Sequence, residues 1–440
     1  MTRQYIKSVA PPSTTNGVKT GPDVASIVAE VIADVKQQGD AAVRHYSEKF
    51  DKWSPASFRL SEEEIQNIMS TVPEQTIKDI KEVQENVRAF ALAQRATITD
   101  LEVEIRPGVI LGHRNIPIEV VGCYIPGGRY PLLASAHMTI ITAKAAGVSH
   151  VVACTPPILG KIPASTVAAA HLAGADEIHI IGGTQAIAAM ALGTESIPQC
   201  HFLAGPGNAF VAEAKRALFG PVGIDLFAGP TEVLIVADDA ADPFTCATDL
   251  LSQAEHGPDT PAVLITTSKA VAEATLLSIE RQLASLCTAD VARVSWEAFG
   301  EIIVVDGGLD EAFALADEFA SEHVQILTRE PREALTKMKH YGALFLGKNT
   351  CVSYGDKVIG TNHVLPTRKS AHYTGGLWVG KFLKTCTYQE VVSDEASGKL
   401  GLLCGRAARA ENFEGHARSG DLRAHQLLGE EIEWITEAKK

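Results

Sequence analysis

The sequence predicts an α/β fold: two domains, each with a parallel sheet covered by helices, and small helical segments at the N- and C-terminal ends. Three observations carry this. From about residue 118 onward, short β-branched apolar runs alternate with Ala-rich stretches of helical length. The runs at 151–155 and 233–237 are nearly continuously apolar rather than alternately polar, as burial on both faces of a sheet requires. The series also occurs twice, over 118–218 and 233–341, and a chain of 440 residues is long enough for two or more domains.

Taken in order, residues 1–20 read as an arm, because the segment from Pro11 to Gly17 has loop composition. Helices follow over 22–38, stopped by Gly39, and over 40–50. Ser61-Glu62-Glu63-Glu64 has the form of a capping box, and 73–94 reads as a long helix. Strands are expected at 101–105, 109–113 and 118–124. Then come helix 135–146, strand 151–155, helix 164–173, strand 177–181, helix 185–192, strand 202–204 and helix 209–218. The second series gives strands at 233–237, 262–266, 302–305 and 324–328, with helices at 243–255, 269–286, 309–322 and 331–341. The last sixty residues, from Lys381 to Glu437, read as helical and charged.

Composition removes several classes. A formal charge of −14 disfavours a nucleic-acid binder, which would more often carry a basic face. No apolar run follows Met1–Lys7, so a signal peptide is not read there, and no stretch has the apolar length of a membrane span. The eight cysteines are scattered without a Cys-x-x-Cys pair, which points away from a zinc knuckle or a disulfide scaffold and toward a reducing, cytoplasmic setting.

Four segments carry chemistry. Gln253 and His256, at the end of the helix before Gly257-Pro258, are spaced to share a helix face and could hold a divalent metal between an amide oxygen and an imidazole. Glu322-His323 places a water-activating carboxylate beside a proton-moving imidazole where a helix gives way to a strand. The polar, glycine-framed stretch from Gly355 to Thr367 contains Asp356 and His363, and the segment 411–416 adds Glu411, Glu414 and His416. Gln, His, Asp and His make a nitrogen and oxygen set suited to zinc. Separately, three glycine turns follow predicted strands: Tyr124-Ile-Pro-Gly-Gly, Ile181-Gly-Gly-Thr-Gln and Gly205-Pro-Gly-Asn. Strand-to-helix turns of this kind bind ligands in open α/β sheets, although no Gly-x-Gly-x-x-Gly or Walker sequence is present.

Together these segments resemble the histidinol dehydrogenase family, from about residue 20 to 425. The resemblance rests on Cys123-Tyr-Ile-Pro-Gly-Gly, Gly182-Gly-Thr-Gln-Ala, Gly205-Pro-Gly-Asn, Ala228-Gly-Pro-Thr-Glu, Ser252-Gln-Ala-Glu-His-Gly, Ser321-Glu-His, Gly360-Thr-Asn-His-Val-Leu-Pro-Thr and Glu411 to His416. It implies an NAD-dependent enzyme with one zinc ion per active site that oxidises a primary alcohol through an aldehyde to an acid in two hydride transfers. It implies zinc ligands Gln253, His256, Asp356 and His416, with Glu322 and His323 as the catalytic pair. Tyr124, Gln185 and Asn208 match cofactor contacts, while Thr231, His363 and Glu411 match substrate contacts, joined in the substrate site by the metal ligands and His323.

The implied fold is two incomplete Rossmann-like domains in an intertwined homodimer, each active site completed by the partner's C-terminal segment. The boundaries are an arm over 1–20, a discontinuous domain over 21–122 and 232–375 with the metal and catalytic residues, a nucleotide-binding domain over 123–231, and a helical segment over 376–440. Local departures, namely Arg129-Tyr130, Asp51-Lys52-Trp53, Gly375-Gly376-Leu377-Trp378 and the form of the 411–416 segment, look more like the branch that oxidises sulfopropanediol to sulfolactate. There Arg129 would pair with the sulfonate through its planar donor fork. L-histidinol is the alternative substrate. A zinc hydrolase and a non-catalytic binding protein are the readings from other classes.

Overall fold

The structure, a computed structural model, describes residues 3–9, 23–127, 131–227 and 229–440. Contacts divide the chain into two compact units, Met1–Arg95 with Ile118–Phe382 and Ala96–Pro117 with Leu383–Lys440. Among the described residues no helix is long and apolar enough to cross a membrane.

The first unit contains two sheets. One has six strands in the order Arg3–Lys7, Gly300–Val305, Ala262–Thr266, Val233–Ala237, His323–Leu327 and Ala343–Leu346; only Arg3–Lys7 runs antiparallel to its neighbour. The alternation of side chains along a strand explains why Val233–Ala237 is apolar throughout. Val233, Ile235 and Ala237 join a core with the helices Pro243–Ala254, Lys269–Leu283 and Ala289–Phe299, whereas Leu234 and Val236 face the helix Gly308–Phe319. Both faces are therefore covered, and an alternating strand would have buried charge on one of them.

The other sheet is wholly parallel, in the order Glu177–Ile180, His150–Thr155, Val120–Tyr124, Phe202–Ala204 and Gly223–Ile224. The five-stranded sheet and the five parallel strands of the six-stranded sheet are the incomplete Rossmann-like layers expected from the sequence. The N-terminal helix Val24–Gln38 presents Val28, Val31 and Val35 at helical spacing. They are buried in a common core with Ile187, Ala188 and Val211 of the helices Gly183–Leu192 and Ala209–Leu218. This apolar stripe groups the N-terminal helices with the five-stranded sheet, whereas the boundaries expected from sequence put 21–122 with the metal and catalytic segment.

The second unit is a three-stranded antiparallel sheet, Leu383–Val391, Val109–Pro117 and Leu101–Arg106, followed by the helices Asp394–Ala410, Glu414–Leu428 and Glu433–Ala438. The stretch read as helix from Lys381 therefore begins as a strand. Its Thr385, Thr387, Tyr388 and Val391 suit a strand, and pairing in full register, from Leu383 opposite Pro117 to Val391 opposite Val109, realises that propensity. The helix Ala289–Phe299 and the strand Ala343–Leu346 were not anticipated: the strand is a run of only four residues between Gly342 and Gly347, and the helix follows closely on Lys269–Leu283. Asp356 lies on the short helix Val352–Lys357, inside a stretch that reads as irregular.

Candidate active site

Glu322 and His323 lie at the amino end of the strand His323–Leu327, just after the helix Gly308–Phe319 ends at Ala320 in a left-handed conformation, φ 50°. Thr231 and Glu232 lie at the amino end of the neighbouring strand Val233–Ala237. Parallel pairing brings these two amino ends side by side, with His323 opposite Val233. The Thr231 hydroxyl donates to Glu322 Oε2 at 2.5 Å, and the Glu232 N–H donates to the same oxygen at 3.0 Å. Gln253 Nε2 in turn donates to Thr231 Oγ1 at 2.5 Å. The proton order along this chain is fixed, since an amide NH2 can only donate and a carboxylate can only accept.

His323 is 2% exposed. Its Nδ1 is 3.0 Å from the Glu232 carbonyl and 3.4 Å from Glu322 Oε2, and its Nε2 is 3.2 Å from Asp356 Oδ1. Burial pulls the imidazole toward its neutral form, but Glu322 and Asp356 outweigh it and push His323 up to about 10. Burial likewise opposes the charge on Asp356, yet the hydrogen bond and charge of His323 hold the carboxyl down at about 2. Glu232 is raised, first by burial. The two partners of one buried contact are thus both held in their charged forms.

A cavity of about 180 Å³ joins this cluster to His256, His363 and Lys357. Its other wall carries Ser135 and the Pro206-Gly207 turn that follows the strand Phe202–Ala204 of the second sheet. The amino ends of one sheet thus face the carboxyl end of the other across the cavity. His256 Nδ1 lies 3.2 Å from the Gln253 carbonyl; donating there leaves the Nε2 lone pair free. The hydrogen bond from Gln253 Nε2 to Thr231 directs the amide oxygen away from that contact as a possible donor to a cation. His363 Nε2 is 3.2 Å from the Ser135 hydroxyl, and burial pushes this imidazole down to about 4, so it is neutral. Sequence reasoning passed over Ser135 and Lys357. Ser135 lies in an ordinary Ala-rich helix, and Lys357 is adjacent to Asp356 but reads as a surface lysine.

Glu411 and His416 belong to the second unit. Glu411 follows the helix Asp394–Ala410, and His416 is in the first turn of Glu414–Leu428 with its ring against Phe413, centroids 5.3 Å apart. Arg129 lies outside the described residues. Among the described residues no three His, Cys, Asp or Glu side chains are gathered as a ready metal cluster. Gln253, His256 and Asp356 supply one amide oxygen, one imidazole nitrogen and one carboxylate from the first unit.

Tyr124, Gln185 and Asn208 line a single second cavity of about 530 Å³. It sits at the carboxyl ends of the parallel strands Val120–Tyr124, His150–Thr155 and Glu177–Ile180, where helix N-termini point their N–H groups outward. The Tyr124 hydroxyl accepts the Gly183 N–H at 3.1 Å, and burial raises the phenol to about 12. Asn208 caps the helix Ala209–Leu218 by accepting from the Phe210 and Val211 N–H groups. The Gly205 turn before it is fixed by its N–H to Asp225 Oδ2 at 2.7 Å and by Lys215 Nζ to its carbonyl at 2.9 Å. Gly205 has φ +122°, and a side chain there would collide with the Tyr124 carbonyl, so only glycine fits. Gln185 Oε1 is buried with no hydrogen-bond partner, an atom that a polar ligand would satisfy.

A family model described as histidinol dehydrogenase matches residues 15–424. A protein named histidinol dehydrogenase homolog from Shouchella clausii is 62% identical over 400 residues, covering 91% of this chain and 94% of its own. A sulfopropanediol 3-dehydrogenase from Ruegeria pomeroyi is 44% identical over 434 residues, covering 98% of each. The crystal structure of histidinol dehydrogenase from Elizabethkingia anophelis superposes with a TM-score of 0.88 at 34% identity, covering 96% of this chain and 98% of that one.

Proposed function

Because the chain belongs to the histidinol dehydrogenase family, whose members are NAD-dependent dehydrogenases, we propose that it oxidises 2,3-dihydroxypropane-1-sulfonate (sulfopropanediol) to sulfolactate. The primary alcohol passes through an aldehyde to the carboxylic acid, with one hydride transferred at each stage. The observation that carries the reaction type is the buried Thr231–Glu322–His323–Asp356 arrangement at the wall of a small cavity. The substrate assignment draws on the 44% identical sulfopropanediol 3-dehydrogenase, which aligns over 98% of both chains.

Gln253, His256 and Asp356 fit a zinc ion, and the fourth ligand in this reading is His416 from a second copy of the chain, with Glu411 beside it at the substrate. Gln253, His256 and Asp356 would hold the zinc, which when bound would supply Lewis acidity toward the substrate hydroxyl, and Tyr124, Gln185 and Asn208 would hold NAD, which would supply the hydride acceptor. Glu322 and Asp356 keep His323 protonated; with the Asp356 carboxylate committed to zinc, His323 would be released toward its neutral form and would take the hydroxyl proton in each oxidation. Glu322, oriented by the Thr231 hydroxyl and the Glu232 N–H, takes a proton from the water that adds to the aldehyde. Thr231 and His363 position the substrate, and Arg129 pairs with its sulfonate.

The test is a substrate panel read at the NADH absorbance band. The sulfonate diol and L-histidinol are each supplied with NAD and zinc, to native protein and to Arg129→Ala. Turnover of the diol, weakened roughly ten- to a hundredfold by Arg129→Ala as expected for a lost charge-assisted contact, supports the assignment. Turnover of L-histidinol alone replaces it with the second reading, oxidation of L-histidinol to L-histidine, which the 34% identical histidinol dehydrogenase structure favours.

A further inference from the structure

The N-terminal helix Asp40–Asp51 ends at the second cavity, and its last residue is part of the wall. Asp51 receives a hydrogen bond from Gln185 Nε2 at 3.0 Å, so the Gln185 amide is turned with its NH2 on the carboxylate and its buried oxygen unpartnered. Burial raises the Asp51 carboxyl above its ordinary range, as it does for a carboxylate with too few donors. A carboxylate has about four acceptor positions, and one amide donor leaves most of them open.

The position of Asp51 within the cavity says which part of a dinucleotide it meets. Asn208 adjoins Gly207, and Gly207 also lines the substrate cavity, so the reacting end of the cofactor lies on that side. Asp51 comes instead from the N-terminal helices, together with Ile27 and Phe50. Phe50 is 49% exposed, an apolar surface suited to a purine ring.

We infer that Asp51, positioned by Gln185, accepts hydrogen bonds from the adenosine ribose hydroxyls of NAD and excludes NADP. A vicinal diol offers the two O–H donors that the carboxylate lacks, whereas a 2′-phosphate brings a second anion against it. The inference rests on the second cavity being the NAD site.

The experiment measures dissociation constants by fluorescence titration, without turnover, for NAD, NADP and 2′-deoxy-NAD on the native protein, Asp51→Asn and Asp51→Ser. The native protein should bind NAD at least about a hundredfold more tightly than NADP and roughly tenfold more tightly than 2′-deoxy-NAD. In both variants NAD should weaken roughly tenfold or more, the preference over NADP should collapse toward parity, and the 2′-deoxy penalty should vanish. A 2′-deoxy penalty that persists in a variant that binds NAD overturns the inference, because a merely structural Asp51 would weaken all three ligands alike. If neither variant folds, a native protein that fails to distinguish NAD from NADP overturns it. Native protein that binds no NAD at all removes the cofactor reading itself, a different failure.

Discussion

Glu322 can activate water only while its carboxylate is aimed, and the two donors on Oε2 aim it. A glutamine of the same shape could still meet Thr231 and Glu232 but could not accept a proton from water. Glu322→Gln is therefore expected to slow the aldehyde-to-acid stage by roughly a hundredfold or more while costing the alcohol stage about tenfold or less. Single-turnover assays started from the alcohol and from the aldehyde measure the two separately; equal losses would remove the division of labour between Glu322 and His323. His256→Ala should release zinc while preserving the fold, measured as metal content of the purified variant beside its circular dichroism; full occupancy would place the metal elsewhere. Glu322-His323 and Gln253/His256 could be singled out in the sequence as polar pairs at helix ends, and the structure brings Glu322, His323 and His256 to one cavity; their roles were implied only by the family resemblance. Asp51 was noticed only as an oddity beside Lys52 and Trp53. Its role depends on Gln185, 134 positions away, and no local pattern encodes that meeting.

At the scale of elements, apolar runs and glycine turns made both parallel sheets readable. The turns at Tyr124, Gly182 and Gly205 could be placed at carboxyl ends, where α/β ligands gather. The general rule does not anticipate that Glu322 and His323 sit at the amino ends of the other sheet. That follows from the way strands His323–Leu327 and Val233–Ala237 pair in register, a long-range fact. The strand Leu383–Val391 escaped for the same reason: its partner lies more than 260 residues earlier. The helix pair Asp394–Ala410 and Glu414–Leu428 is set by glycines instead. At Gly401 an added Cβ would run into the Gly420 carbonyl, whereas at Gly415 it would meet nothing within 4 Å. Gly401→Val should accordingly destabilise the pair by about 1–3 kcal/mol, and Gly415→Ala should be neutral or stabilise by up to about 1 kcal/mol. Thermal unfolding with hydrogen exchange over 394–428 checks both, and a Gly401→Val protein with native protection there would show that close backbone approach is not what holds the helices.

The whole molecule poses a question that neither unit answers alone. The first unit supplies three zinc-ligand candidates, and the fourth, His416, is carried by the second. The edge strand Leu101–Arg106 of the second unit leaves Leu101, Val103 and Ile105 about half exposed at alternate positions, an apolar stripe that an isolated soluble chain would not be expected to retain. The proposed reading makes this a homodimer in which each copy would lend its second unit to the other's active site. Complementation tests this. Glu322→Gln and His416→Ala chains should each be inactive, or nearly so, in the two-stage oxidation on their own. If the sites are shared, a mixed dimer has one site lacking both groups and one site with native Glu322 and native His416. Unfolding and refolding an equimolar mixture should then restore about a quarter of native activity per site, since random pairing makes half the dimers mixed and each has one intact site. Sites completed within a single chain would leave the mixture as inactive as its components, however well it dimerised.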